Sequence, residues 1–491
     1  MVTHDAVGYK REPTNGEDAV SAQPAPPREE RMNARAWGLL LVLSGAIFLE
    51  GIDVSMMGVA LPSIRAELGM STGSLQWVVS AYVLGYGGFV LLGGRAADLL
   101  GRRRMFLLWL VVFVAFSGLG GFAGEGWVLV LARFATGVAA AFLAPAGLSI
   151  ITTTYAAGPT RHRAVLVYAG AGAGGFSLGM VVGGLLTAVH WRWVFFAPVV
   201  VAAALLVAAA ALIPREQRPA RTAGGFDVAG TATLTGAMML LVVTVVHAPE
   251  VAIVTTLATL AGAVALLAAF VRIERRSPAP LVRLGILRSG PLLRANAGAM
   301  LLIGSFMAFQ FTVVLYLQEL RGWSEVETGL ALAVAGIDAV LAPTLTPWLV
   351  ARFGNARVVV AGLALTALAY LLFLPVGADW GFLAMLPSLA VLGVAFALAY
   401  GPLTIAGTDG VDDHEQGLAS GLLTTSFQFG AALGLAAVSA VIVAATADAS
   451  PEAVLAGYRA GLVVPLVAAV LGTALTASGL RRRTRVAVAA A

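Results

Sequence analysis

Fourteen separate apolar stretches, each of about twenty residues, run through this chain of 491 residues. That length is what one α-helix needs to cross the hydrocarbon core of a bilayer. The stretches leave little sequence for a domain outside the membrane, and the 59% of hydrophobic residues and the mean hydropathy of +0.89 agree with this. We therefore expect an all-α polytopic membrane protein with fourteen transmembrane helices.

An internal repeat predicts how the spans are grouped. The fifth and the thirteenth span both carry glycines at four-residue spacing, and the second and the tenth span are both followed by a short basic loop that contains glycine. Spans one to six therefore pair with spans nine to fourteen, and spans seven and eight form an inserted hairpin. We divide the chain into a disordered tail (1–36), an N-terminal six-helix bundle (37–213), the transmembrane hairpin with its linkers (214–295), a C-terminal six-helix bundle (296–480) and a second tail (481–491).

The distribution of basic residues predicts the orientation. Arg and Lys outside the spans lie mostly on the side of the N-terminus, for example in segments 101–104, 215–221 and 481–485. The loops that keep such an excess are the cytoplasmic ones. Because an even number of spans returns the chain to its starting side, we expect a multi-pass protein of the cell membrane with both termini in the cytoplasm.

Ionisable residues inside the apolar spans are the first candidates for function, because they are costly in a bilayer. Glu50 and Asp53 are three residues apart and share a helix face, where two carboxylates do not both ionise at low cost, so one is expected to hold a proton. Arg133 requires an anionic partner, for which Asp53 is the candidate. Asp338 is a further acid in the middle of a span. The alternatives are a structural ion pair for Arg133 and a packing role for Asp338.

The loop after the second span, residues 94–104, reads GRAADLLGRRR. Its carboxylate, on Asp98, can accept hydrogen bonds from the facing bundle, while the arginines stay on the basic side. Such a cluster can hold two bundles together and release them. The alternative is that the basic residues only anchor the topology. The residues of this predicted conformational latch are Gly94, Asp98, Gly101, Arg102 and Arg103.

These motifs together resemble those of the major facilitator superfamily, and within it the fourteen-span drug/proton antiporters. Segment 52–62, IDVSMMGVALP, is similar to the motif of the family's first span, and segment 94–104 is similar to the motif of its second loop. Arg133 and Gly137 match its fourth-span motif. The antiporter motif of the fifth span is met by a helix ridge at Gly175, Gly179, Gly183 and Gly184.

The resemblance implies the major facilitator fold and export of amphipathic small molecules, such as drugs, antibiotics and dyes, by proton-coupled alternating access. It assigns Glu50, Asp53, Arg133 and Asp338 to proton coupling. A substrate cavity is expected between the bundles. Two alternatives stay open: an exporter dedicated to one natural product or metabolite, and a non-transporting receptor or scaffold, which would have no use for intramembrane charges. The candidates for the cavity, which could instead serve helix packing, are Phe48, Gln310, Gln318, Tyr400 and Gln428.

Other classes of chemistry find no support in the sequence. Cysteine is absent, and His162 and His414 have no companion ligands at metal spacing. The segment 170–175, GAGAGG, fits a dinucleotide-binding pattern but opens an apolar span with no strand before it. No motif for nucleotide hydrolysis or peptide hydrolysis occurs. We therefore expect a monomer that is not an enzyme, with no metal, no cofactor and no nucleic-acid partner, whose partners are a small-molecule substrate, protons and the bilayer.

The predicted topology can be tested with reporter fusions. A reporter fused after Arg221 or after Arg485 should lie in the cytoplasm, because each point follows an even number of spans. A fusion after Arg321, which follows the ninth span, is the matched control and should lie outside. Green fluorescent protein, which fluoresces inside, and alkaline phosphatase, which is active outside, provide the two readouts. An outside signal at Arg221 or Arg485 would contradict the topology.

Overall fold

The computed structural model describes residues 33–155, 159–215, 227–248, 251–277, 280, 282, 285–286, 289–407 and 416–489. Most of the predicted N-terminal tail, and His414, lie outside these residues. The helices are α1 (Ala34–Leu68), α2 (Thr72–Leu75), α3 (Trp77–Leu100), α4 (Arg102–Gly121), α5 (Gly126–Thr154), α6 (Pro159–Val189), α7 (Trp193–Leu212), α8 (Val228–His247), α9 (Ile253–Glu274), α10 (Gly290–Leu315), α11 (Glu325–Ala333), α12 (Asp338–Phe353), α13 (Asn355–Phe373), α14 (Phe382–Ala406), α15 (Gln416–Ala445) and α16 (Pro451–Ala489).

Within the described residues, the helices provide 14 stretches that are long and apolar enough to cross a membrane. Three of these are composite. The second combines α2 with α3, the ninth extends α10 by a π-helical turn at Tyr316–Leu320, and the tenth joins α11 to α12 through a 3-10 turn at Val334–Ile337. The all-α class and the number of transmembrane helices are confirmed.

The two groups of six spans pack in the same way. In the first group α1 packs against α6 and α7, and α4 packs against α5 and α7. In the second group α10 packs against α15 and α16, and α13 packs against α14 and α16. The first span thus contacts the fifth and sixth in both groups, and the third contacts the fourth and sixth. The prediction of two six-helix bundles is confirmed, and the residue boundaries between domains stay a prediction.

The bundles meet along two seams, and the inserted hairpin lies on one of them. Across the first seam α3 packs against α15, and across the second α6 packs against α11. Helices α8 and α9 pack against each other, and α8 also contacts both α3 and α15. Gly88 of α3 leaves room for Thr235 of α8, whose Cγ2 would lie 2.9 Å from a Cβ at that position. The hairpin therefore covers the first seam.

Two short basic loops show why the repeat carries glycine after its second span. Gly101 separates α3 from α4 with φ 97°, and Gly354 separates α12 from α13 with φ 84°. A residue with a Cβ is strained at such a positive φ, whereas glycine is not. Each glycine lets one span end and the next begin without a longer loop.

Glycines also set the distance between the first and fifth spans of each bundle. Gly175, Gly179 and Gly183 of α6 lie against the α1 backbone, and a Cβ at Gly183 would come within 2.7 Å of Met56 Cα. In the second bundle, a Cβ at Gly430 of α15 would come within 2.7 Å of the backbone of α10. Only a residue without a side chain permits such close helix packing.

Substitution of the glycine ridge should destabilise the protein. Gly179→Leu would force a side chain against Ile52, whose Cα would lie 2.9 Å from the new Cβ. Overpacking of this kind costs about 1–3 kcal/mol, so we expect a lower midpoint of thermal unfolding in detergent and loss of export. Gly174→Leu, on the same helix but with no atom within 4 Å of a new Cβ, is the control. Equal midpoints for the two variants would contradict this packing role.

Candidate functional site

A buried ion pair joins three helices of the N-terminal bundle. Arg133 of α5 donates from Nη1 to Oδ2 of Asp53 on α1 over 2.5 Å, and each side chain is 1% exposed. Arg133 Nε also donates to the carbonyl oxygen of Val78 on α3, at 3.1 Å. The guanidinium carbon lies 4.5 Å from the centre of the Tyr82 ring, a cation–π contact. Asp53 therefore supplies the anionic partner that Arg133 requires.

This pair is tightly fixed. Removal of one partner of a buried pair leaves an uncompensated charge, at a cost of about 3–5 kcal/mol. Within the described part of the chain, Asp53 Oδ1 and Arg133 Nη2 are buried without a hydrogen bond. The contact between the two charged groups therefore offsets much of the free-energy cost of burying them. Asp53 is held close to a permanent positive charge.

Glu50 has different surroundings, although it lies one helical turn before Asp53. The Tyr86 hydroxyl on α3 can donate a hydrogen bond to its carboxylate. Glu50 also lines a cavity of about 10 Å³, bordered by Leu110 and Phe113 of α4, which is about the room that one water needs. Glu50 thus has a neutral hydrogen-bond donor where Asp53 has a cation.

Asp338 lies at a break in the tenth span. It is the first residue of α12, directly after the 3-10 turn Val334–Ile337, and it is partly exposed. A short 3-10 segment in the middle of a helix often marks a hinge. Asp338 thus adds an acid of the C-terminal bundle to Glu50 and Asp53 of the N-terminal bundle.

The three glutamines predicted for a substrate cavity all lie at contacts between the bundles. The Gln310 amide is buried against Gly58 of α1, and Gln428 lies against Gly87 of α3. Gln318 donates from Nε2 to the carbonyl oxygen of a residue of α1, Val59, at 3.0 Å. These positions make them inter-bundle contacts in this conformation, and a role in substrate binding stays a prediction.

Two further candidates differ in accessibility. Phe48 is half-buried on α1, and its carbonyl oxygen contacts Gly175. Tyr400 is 43% exposed. Of these two aromatic residues, Tyr400 offers the larger accessible surface.

The predicted latch residues are only partly described. Gly94 lies on α3 and faces α5, while the side chain of Asp98 lies outside the described part of the chain. Arg102 begins α4. Arg103 donates to the carbonyl oxygen of Ala210, near the end of α7, at 2.8 Å. This contact of Arg103 is within its own bundle, and the latch role stays a prediction.

A set of polar contacts that the sequence did not reveal joins the bundles at the C-terminal end of α1. Arg65 donates from Nη1 to both carboxylate oxygens of Glu319, at 3.0 and 2.8 Å. Tyr458 donates to the same carboxylate at 3.1 Å. Ser63 donates to Glu325 at 2.9 Å. We call these the end contacts; Arg65–Glu319 and Ser63–Glu325 connect the two bundles at the end opposite the chain termini, and Tyr458 supports Glu319 from within the C-terminal bundle.

The fold and the site together define a class of protein. Two repeated helix bundles with ionisable groups near their interface are the architecture of a secondary membrane transporter. The model of the Major Facilitator Superfamily matches residues 43–435. The chain belongs to this superfamily, and it is a multi-pass membrane protein.

Relatives in the superfamily include exporters of antibiotics. The chain is 34% identical to the puromycin resistance protein pur8 of Streptomyces alboniger, over 90% of each chain. It is 34% identical to the cephamycin export protein CmcT of Amycolatopsis lactamdurans, over 84% of this chain and 86% of the relative. It is 30% identical to the multidrug efflux pump LfrA of Mycolicibacterium smegmatis, over 85% and 83%. The resemblance to drug exporters is confirmed.

Solved structures show the same fold. A bacterial homologue of the human lysosomal transporter Spinster has a TM-score of 0.66 at 18% identity, over 92% of this chain and 98% of that chain. A D-xylose–proton symporter has a TM-score of 0.64 at 16% identity, over 89% and 97%. The major facilitator fold is therefore confirmed for this chain.

The cost of the buried ion pair can be measured with a double-variant comparison. Asp53→Asn should lower the stability by about 3–5 kcal/mol, because it leaves the Arg133 charge buried and uncompensated. Asp53→Asn combined with Arg133→Met removes both charges and should recover much of the loss. Thermal unfolding of the purified variants, followed by tryptophan fluorescence, gives the comparison. A double variant that is less stable than Asp53→Asn alone would show that the uncompensated charge of Arg133 is not the cause of the lost stability.

Proposed function

We propose that this chain exports amphipathic small molecules, antibiotics among them, by proton-coupled alternating access. The observation that carries the proposal is that each bundle places an acid inside a span, Glu50 on α1 and Asp338 at the break in the tenth span. Titratable acids near a bundle interface are what a carrier needs to exchange protons during its cycle. The antibiotic relatives support the direction and the class of cargo. Enzymatic activity is not part of this proposal.

For the orientation we propose that both termini lie in the cytoplasm of the cell, as the distribution of basic residues predicts. The end contacts then face the outside. This conformation is accordingly one in which the outer side is closed. Opening outward requires the separation of Arg65 from Glu319 and of Ser63 from Glu325.

We assign different roles to the four intramembrane charges. Asp53 and Arg133 form an ion pair with each other, and the contacts of Arg133 fix α5 to α1 and α3. Glu50 and Asp338 have no such cation among their described contacts, so each can take up and release a proton at lower cost. A proton that moves inward through one of them supplies about 1.4 kcal/mol per unit of pH difference. A membrane potential adds about 2.3 kcal/mol per charge for each 100 mV.

A second candidate is an exporter dedicated to one natural product. Two of the relatives described above are named for a single antibiotic, and the name of the third is that of a multidrug pump. Resistance profiling in an efflux-deficient host separates the two. Protection against several unrelated compounds supports the multidrug function, and protection against one compound supports the dedicated exporter.

The coupling mechanism can be tested in proteoliposomes with an imposed pH gradient. Glu50→Gln and Asp338→Asn should each abolish gradient-driven transport of a fluorescent dye, because each removes a proton-exchanging group with little change of shape. Asp448→Asn changes an exposed acid outside the helices and serves as the matched control, with normal transport expected. Gradient-driven transport at the normal rate in both intramembrane variants would overturn the assignment.

A further inference from the structure

We propose that the C-terminal end of α9, in the inserted hairpin, holds a binding site for the headgroup of an anionic membrane phospholipid. Arg272, Arg275 and Arg276 contact the phosphate, and an acyl chain lies along the exposed apolar side of the same helix. Because α9 is the eighth span, this end lies on the same side of the membrane as the N-terminus. The site is outside the space between the bundles, so it does not depend on which molecule the protein exports.

An open cavity lies beside the three arginines. Its volume is about 540 Å³, which is within the range of sites that bind small molecules. The lining combines guanidinium groups with apolar side chains, as the boundary between a lipid headgroup and its acyl chains requires. The described residues that line the cavity are Ala268, Ala269, Val271, Arg272, Arg275 and Arg276.

The charges of these arginines are available to an anion. All three side chains are exposed, and none has an ion pair within the described part of the chain. Glu274 lies among them in sequence but is 4% exposed and faces α8, where its Oε1 would lie 2.9 Å from a Cβ at Gly230. Guanidinium groups bind phosphate with two parallel hydrogen bonds, so the cluster suits a phosphate ester.

The side of α9 that leads to the arginines is apolar and exposed. This helix packs mainly against α8, which leaves its other side to the bilayer. From Ala261 to Arg272 an α-helix rises about 16 Å, which is close to half the thickness of the hydrocarbon core. An acyl chain that begins at the arginines can therefore follow α9 to the middle of the membrane. The large apolar residues of this side, 41% to 73% exposed, are Ile253, Val254, Leu257, Leu260 and Val264.

The alternative is that the arginines only orient the eighth span. Basic residues at the cytoplasmic end of a span have this effect by charge alone. Arg352 and Arg357, two exposed arginines at the junction of α12 and α13, lie on the same side of the membrane. Orientation requires neither a cavity beside the arginines nor an exposed apolar side above them. These two features of α9 point to a bound lipid.

Three probes separate the contributions of the charge and of the acyl chains. The purified full chain in an uncharged detergent is titrated with dioleoylphosphatidylglycerol, with dioleoylphosphatidylcholine and with glycerol 3-phosphate, and binding is followed by native mass spectrometry. We expect phosphatidylglycerol to bind most tightly, since it alone combines a net negative headgroup with acyl chains. Phosphatidylcholine binding as tightly would overturn the charge requirement, and glycerol 3-phosphate binding as tightly would show a phosphate site and overturn the lipid.

Variants test whether the tightest site lies at α9. Arg272→Gln combined with Arg276→Gln should weaken phosphatidylglycerol binding by about thirtyfold, and either change alone by about fivefold, as loss of the attraction of two or one basic groups predicts. Arg352→Gln combined with Arg357→Gln removes the same charge elsewhere on this side and should bind normally. Thermal unfolding without lipid checks that each variant is folded, and the single variants serve if the double variant is not. Equal weakening in the two double variants would overturn the site.

Cross-linking gives the position independently of affinity. Phosphatidylglycerol with a diazirine near the middle of one acyl chain should label residues 257–268 of the wild-type protein, and the label should fall in the variant with Arg272→Gln and Arg276→Gln. Label mainly on other helices would overturn the position of the site. None of these measurements uses transport, so their failure leaves the proposed export function intact, and a failure of export leaves the lipid site intact.

Discussion

The arrangement of the N-terminal bundle depends on the high free energy of an unpaired guanidinium inside a bilayer. Arg133 satisfies this constraint with contacts to two neighbouring helices: the carboxylate of Asp53 on α1, and the Val78 carbonyl oxygen and Tyr82 ring on α3. The three helices are thereby fixed relative to one another at one depth. Glu50, one turn away on α1, occupies a position that is set by this rigid junction.

The pairing of Asp53 with Arg133 also determines which ionisable side chains are left to act at the interface between the bundles. With Asp53 paired to Arg133, Glu50 and Asp338 are acids without a cationic partner among their described contacts. A proton is a favourable partner for such acids. The Asp53–Arg133 pair thus has a structural role, and the acids proposed to exchange protons have a separate one, even though Glu50 and Asp53 share a helix face.

The sequence predicted those features of the fold and the site that depend on a local pattern of residues. Span number follows from the length of apolar stretches, the bundle repeat follows from glycine spacing, and Asp53 was the expected partner of Arg133 because an unpaired charge is costly. Glu319 and Arg65 lie 254 residues apart, so their pairing depends on how the bundles dock, which no local pattern encodes. Phe396, which stacks on Tyr400, was detectable as its neighbour one helical turn away, whereas Phe427, which stacks on the same ring, belongs to another helix. The coupling and latch roles stay predictions.

The 3-10 turn at Val334–Ile337 divides the tenth span between the two halves of the molecule. The part before the turn, α11, packs against α6 of the N-terminal bundle through the backbones of Gly184 and Gly329, whereas α12 packs mainly against α14 of its own bundle. An unbroken helix would transmit any tilt of one part rigidly to the other. The interrupted span can instead bend at the 3-10 turn, so α12 can tilt while the packing of α11 against α6 stays in place.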